Sequence, residues 1–285
     1  MNKSKLIIVS MLATFFFSCQ KSLVDDTVTV SAKTILNVAY GADPAQDMDI
    51  YLPAKRSSSA TRVIVMIHGG GWNAGDKTDM TEFVDTFKTR LPDFAVININ
   101  YRLAISATTL FPTQEMDVKA ALQFIADHST EYLISNKIVL VGASAGAHLA
   151  LLQGNKYSTP IKPKAIVSLF GPTDMTEMYN NPTNPLVRPA LVSVIGKTPT
   201  QDSSIYANSS PVNFVTTGSP PTIFLHGGMD LLVRASQSVA MKNLLQQAGV
   251  ITQYVFYPTE GHGWTGAALV DSFNKIQAFI LANVN

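Results

Sequence analysis

Three residues on three separate loops carry the side chains that acyl transfer needs: Ser144, Asp230 and His262. A serine hydroxyl is a weak nucleophile at neutral pH. An imidazole can take its proton and later return it to a leaving group. A carboxylate can hold that imidazole in the right tautomer and stabilise its charged form. Ser144 sits at the centre of Gly142-Ala143-Ser144-Ala145-Gly146, after an apolar run over 138–141 and before a helix-compatible run over 147–152. The pattern G-x-S-x-G between a strand and a helix places a serine at the apex of a tight turn. Gly142 and Gly146 lack a Cβ, so strand and helix can approach closely around it. The helix start aims free N–H groups and partial positive charge at an oxyanion formed there. On its own the motif is only a hypothesis; its partners give it weight.

The first partner is upstream. An apolar strand over 62–67 runs directly into His68-Gly69-Gly70-Gly71-Trp72. Glycines there let backbone N–H groups face one shared point, as an oxyanion hole requires, because its donors must be in place before charge develops. Downstream, His226-Gly227-Gly228-Met229-Asp230 follows a strand over 221–225, and Glu260-Gly261-His262-Gly263-Trp264 follows a strand over 253–257. Asp230 sits just past its strand with room to reach across. Glu260 is a weaker candidate acid, because two residues from His262 on one loop is a poor arrangement for an in-line hydrogen bond. His226 precedes its glycines and is expected to be structural. His148 is expected to pack on the helix after the elbow, and His128 to lie at the surface.

The elements that must position these loops alternate. Strands are expected over 34–40, 48–52, 62–67, 94–99, 138–141, 164–170, 221–225 and 253–257, and helices over 79–90, 113–127, 147–152, 236–248 and 267–282. Such alternation implies a mostly parallel sheet covered on both faces. Each candidate residue then leaves the carboxyl edge of the sheet, where open α/β sheets place their sites. The chain order Ser, Asp, His is that of the α/β-hydrolase fold. Residues 171–218 break the rhythm, being rich in Pro, Asn, Thr and Ser, and are expected to form a small irregular cap. Met178, Tyr179 and Leu186 are there either to line a substrate pocket or to pack the cap.

Composition narrows the remaining classes. The 285 residues are 46% apolar, with a net charge of +1 and no basic block, so nucleic acid is not an implied partner. Cys19 is the only cysteine, which excludes an intrachain disulfide. No C-x-x-C or H-E-x-x-H spacing suggests a metal, and no cofactor is expected. Residues 1–18 read as a signal segment, with Lys3 and Lys5 ahead of an apolar stretch over 6–17. Ser18 before Cys19 looks like a bacterial lipoprotein signal with Cys19 as the lipidated residue, although Phe16 and Phe17 depart from that pattern. Residues 19–33 read as a tether and 34–285 as the folded domain. The expectation is an exported chain, anchored to a membrane only through that lipid in the periplasm or at the cell surface, and otherwise secreted.

The ordered motifs HGGGW, NYR, GASAGAHLA, HGGMD and GHGW resemble those of α/β-hydrolase esterases related to hormone-sensitive lipase. They resemble more closely the small bacterial esterases that include acetyl- and feruloyl-type carbohydrate esterases. The likeness runs from residue 34 to the end of the chain. It implies an α/β-hydrolase fold with a cap insertion, Ser144 as nucleophile, His262 as base and Asp230 as orienting acid. It further implies an oxyanion hole from the N–H groups of Gly70, Gly71 and Ala145. Ile105-Ser106 stands where the lipase-like branch has Pro-Glu, and Ala147 replaces a frequent glycine. Both weaken assignment to that branch and leave the three site residues intact. The implied activity is a serine carboxylesterase acting on a small ester, with acetylated or feruloylated oligosaccharides as the expected substrates. The rival readings are a serine peptidase of the prolyl-oligopeptidase type, against which HGGGW leans, and a non-catalytic binding protein on the same fold.

Overall fold

The computed structural model describes residues 30–285. The expected signal segment 1–18, Cys19 and the part of the expected tether before residue 30 lie outside the described residues. Eight strands form one sheet: β1 (Lys33–Ala39), β2 (Asp47–Leu52), β3 (Val63–Ile67), β4 (Ala95–Ile99), β5 (Ile138–Ala143), β6 (Ala165–Leu169), β7 (Thr222–Gly227) and β8 (Thr252–Tyr257). Their spatial order is β1-β2-β4-β3-β5-β6-β7-β8. β1 and β2 pair antiparallel, as do β2 and β4, and every later pairing is parallel. The helices are α1 (Thr81–Arg90), α2 (Thr113–Asp127), α3 (Ser129–Tyr132), α4 (Ala145–Lys156), α5 (Met175–Asn180), α6 (Val187–Ile195), α7 (Ser203–Asn208), α8 (Ala235–Gln247) and α9 (Gly266–Asn283).

The central strands β3 to β7 are buried at almost every position because both faces are covered. Along β3, Val63, Val65 and Ile67 join a cluster with Val118 and Leu122 of α2, Leu149 of α4 and Met241 of α8. The alternate residues Ile64 and Met66 join a second cluster with Val84 and Phe87 of α1 and Phe273 and Ile276 of α9. This two-sided burial, worth roughly 1.5–3 kcal/mol per large apolar side chain, fixes each strand's register. In that register Ile67 lies opposite Gly142 and Gly142 opposite Ser168. The ends of β3, β5, β7 and β8 therefore share one edge, and the loops bearing His68, Ser144, Asp230 and His262 all leave from it.

The stretch 171–218, expected to be irregular, instead holds the three short helices α5, α6 and α7 and a 3-10 turn at Pro211–Phe214. Asp174 caps α5 by accepting from Glu177 N, and Asp202 caps α7 by accepting from Ile205 N. In α6, Val187, Leu191, Val194 and Ile195 are buried, and Gly196 closes the helix with φ 83°. Gln237 of α8 anchors the start of the cap, its Oε1 accepting from Thr173 N at 2.8 Å and Asp174 N at 2.7 Å.

Candidate active site

Ser144 is held in a strained backbone conformation, φ 53° and ψ −118°. Its N–H donates to Leu169 O at 2.8 Å, and its carbonyl accepts from His148 N at 3.0 Å, so the turn is tied to β6 on one side and to α4 on the other. The two glycines of the motif are sterically obligatory. A Cβ on Gly142 would lie 2.3 Å from Gly146 O, and one on Gly146 would lie 2.1 Å from Ile67 O. The turn is that tight because α4 crosses directly over β5 and the end of β3.

The structure brings Ser144, His262 and Asp230 into one hydrogen-bonded chain. The Ser144 Oγ–H donates to His262 Nε2 at 2.8 Å, and His262 Nδ1–H donates to Asp230 Oδ2 at 2.7 Å. The Asp230 side chain is buried and that of His262 is nearly so. Burial pushes the Asp230 carboxyl up, but the nearby His226 Nε2, 3.3 Å from Oδ2, the hydrogen bonds from His262 and Val233 N–H and the attraction of His262 outweigh it, holding the group well below the usual carboxylate range. Asp230 therefore stays ionised and acceptor-only. Its other oxygen, Oδ1, accepts from Leu232 N at 2.8 Å and Val233 N at 2.9 Å. Phe170 meets the His262 ring edge to face, 4.7 Å between centroids. Glu260, the competing acid, is not the partner of His262 Nδ1.

The glycine loop lies against the elbow. Gly70, Gly71 and Trp72 have φ of 101°, 56° and 64°. Among the described residues, none accepts a hydrogen bond from the N–H of Gly70, Gly71 or Ala145. The loop's start is pinned from two sides. The Tyr101 hydroxyl lies 3.1 Å from both His68 O and Gly69 O, and His68 Nδ1–H donates to Gly69 O at 2.7 Å. The two rings stack 4.3 Å apart. In the sequence Tyr101 stands out only as part of the NYR motif; its role in holding the loop depends on the β4–β3 pairing.

His148 packs on α4 as expected, and it also joins three parts of the site. Trp72 Nε1–H donates to His148 Nδ1 at 3.1 Å, and His148 Nε2–H donates to Ser209 O at 2.7 Å. The ring thus links the glycine loop to the segment that closes the cap, and must be neutral to do so. Burial is the main cause that lowers its pKa, to about 4; Lys156 adds to the lowering, and the bond to Ser209 opposes it. An unfolded histidine titrates near 6.5. Between those values the unfolded chain holds a proton that the folded one lacks, so stability falls as pH drops from about 6.5 to about 4, by about 3 kcal/mol in all. A His148→Gln protein is expected to show a shallower fall over that window, by one proton, in denaturant titrations at a series of pH values. Equal slopes would contradict the neutral bridge.

His128 was expected at the surface. It is half-buried instead, stacked on Phe124 at 3.9 Å, with Nδ1–H donating to Phe124 O at 2.8 Å. It plays no part in the site.

Beside Ser144 and His262 opens a cavity of about 290 Å³. Trp72, Met178, Leu186, Val187, Leu191 and Val233 are among its apolar lining, with Asn73 and Asn184 at its polar points. Met178 and Leu186 thus face the cavity, whereas Tyr179 packs in the cap against Tyr206. Val187 and Leu191 were missed because their helix was missed. Their spacing of four, ending at Gly196, was the available signal.

The chain is 28% identical over 225 residues to the probable carboxylic ester hydrolase LipM of Mycobacterium tuberculosis, covering 74% of this chain and 51% of that protein. Esterase LipC of the same organism is 23% identical over 243 residues, covering 80% and 59%. The chain spans only 51% to 59% of the length of these curated relatives. A solved structure described as a truncated form of carbohydrate esterase from gut microbiota superposes with a TM-score of 0.76 at 26% identity, covering 90% of this chain and 97% of that one. The BD-FAE family model matches residues 48–245, a span that holds the glycine loop, the elbow and Asp230. On that match, which covers well over half its length, the chain belongs to the BD-FAE family.

Proposed function

We propose that this protein is a serine carboxylesterase that works through an acyl-enzyme on Ser144. The observation that carries the reading is the continuous chain Ser144–His262–Asp230, at 2.8 and 2.7 Å, beside N–H groups without protein acceptors. In the forward step Ser144 Oγ attacks the ester carbonyl and its proton passes to His262 Nε2. The N–H groups of Gly70, Gly71 and Ala145 receive the oxyanion of the tetrahedral intermediate. Collapse breaks the bond to the alcohol, which leaves with the proton from His262. Water then repeats the sequence on the acyl-enzyme and frees the acid. Asp230 stays ionised throughout and stabilises the imidazolium.

The cavity bears on which half of the ester goes where. A cavity of about 290 Å³ is small for an oligosaccharide, so the half of the ester assigned to it is the acyl group, and the sugar stays in solvent. An apolar wall offers little to an acetyl group and much more to a larger aryl or alkyl acyl group. Feruloylated carbohydrates therefore fit better than acetylated ones. We further propose that the chain acts outside the cytoplasm, held to a membrane through lipid on Cys19; the support is the order Lys3, Lys5, apolar 6–17, Ser18, Cys19.

The test is a substrate series: p-nitrophenyl acetate, butyrate and octanoate, then feruloylated and acetylated xylan oligomers, with an aminoacyl anilide beside them. Feruloyl or butyryl esters are expected to exceed acetyl esters in kcat/KM by about tenfold to hundredfold, the factor that burying the extra apolar surface gives. Acetate as the fastest ester would contradict the assignment of the cavity. Cleavage of the anilide alone would favour the peptidase reading.

A further inference from the structure

We infer that His226 is a positioning residue for Asp230, its Nε2–H steadying the carboxylate oxygen that receives His262. This rests on the esterase reading of Ser144, His262 and Asp230, and names a fourth side chain acting through that set.

His226 lies near the end of β7, four residues before Asp230, and is fully buried. Its Nε2 lies 2.9 Å from Val233 O and 3.3 Å from Asp230 Oδ2. Its Nδ1 lies 2.8 Å from the Ser238 hydroxyl of α8. A carbonyl and an ionised carboxylate can only accept, so Nε2 must carry a proton. Ser238 can donate, so Nδ1 is free to accept, and the neutral Nε2–H tautomer satisfies every partner without a buried charge. The same four-residue turn is closed twice. Asp230 Oδ1 takes the N–H groups of Leu232 and Val233 on one side. His226 donates to Val233 O and reaches Oδ2 on the other. The turn is also stitched to the base loop, with Met229 N donating to Glu260 O at 2.8 Å and Gly228 N to Tyr257 O at 2.8 Å. A shift of the acid turn would therefore move the His262 loop with it. The ionisable groups facing His226 are Asp230 directly and His262 through it.

Glutamine and asparagine substitutions separate the roles of the two ring nitrogens. In the His226→Gln protein the side-chain amide nitrogen would stand near the position of Nε2 and could still donate to the turn. In the His226→Asn protein the shorter amide reaches only as far as the position of Nδ1, toward Ser238. His226→Asn and His226→Leu are expected to lower kcat by about tenfold to hundredfold, the scale set by losing one buried hydrogen bond, with KM little changed. His226→Gln should keep kcat within about threefold of wild type, and Ser238→Ala, which leaves the donor in place but unfixed, should fall between. The second readout is the downfield proton resonance of the His262–Asp230 hydrogen bond, recorded without substrate. It should persist in His226→Gln and Ser238→Ala and broaden or move in His226→Asn. Thermal melts select the folded variants, and Ser238→Ala, the smallest change, provides the reading if the others do not fold. The inference is overturned if the asparagine and glutamine variants give the same kcat and leave that resonance in place, or if Ser238→Ala and wild type have the same kcat. An inactive wild-type protein would count against the esterase reading, whereas the resonance would still decide the role of His226.

Discussion

Replacing Ser144 with alanine should lower kcat/KM on p-nitrophenyl butyrate by about 10⁴-fold or more while leaving the protein folded. The loss is large because, among the described residues, the hydroxyl is the one group that His262 Nε2 is placed to activate, at 2.8 Å. Water would have to enter from solvent and be oriented in its place. The residual activity, about 10³-fold over the uncatalysed reaction, would come from the oxyanion donors and from binding alone. Stability should change by less than about 1 kcal/mol. The substitution removes one partly buried hydrogen bond and keeps a Cβ at φ 53°, so the strain of the turn persists in both proteins. Steady-state kinetics and a denaturant titration on the same preparations check both halves. An alanine protein within tenfold of wild type would show that another group attacks the ester.

Much of this site is legible in the sequence because its geometry admits few residue types. Only glycine fits at 142 and 146, where any Cβ would overlap backbone atoms, and that requirement is visible as G-x-S-x-G. The strands were legible because a two-faced parallel sheet demands apolar residues at every position, as in β3 and β5. The cap was not, because α5 and α7 have only six residues each. That is under two turns, too few for a 3.6-residue period to stand out. Yet Asp174 and Asp202 were capping signals in plain view, and α6 had a readable stripe.

What could not be read was the set of contacts joining residues far apart in the chain. The bridge from Trp72 through His148 to Ser209 spans separations of 76 and 61 residues. No periodicity encodes it; it exists because β3, β5 and the cap meet at one sheet edge. His226 is the instructive case. A structural role was the natural reading of a buried histidine at a strand end, and its bonds to Ser238 and Val233 agree with that. Its 3.3 Å approach to Asp230 depends on how tightly the 230–233 turn folds back, and spacing alone does not specify that.

The reactivity of Ser144 itself is the most direct test. A fluorophosphonate needs only an activated nucleophile with an oxyanion hole beside it. Ser144 Oγ would form the bond to phosphorus, fluoride would leave, and the serine proton would pass to His262, leaving a stable adduct that water removes slowly. Intact-mass measurement followed by peptide mapping should find one adduct per chain, on Ser144. It should be absent from the Ser144→Ala protein and formed about 10³-fold more slowly by His262→Ala, the scale of removing the base. A wild-type protein that hydrolyses esters yet takes no label, or takes it on another residue, would contradict the acyl-enzyme on Ser144.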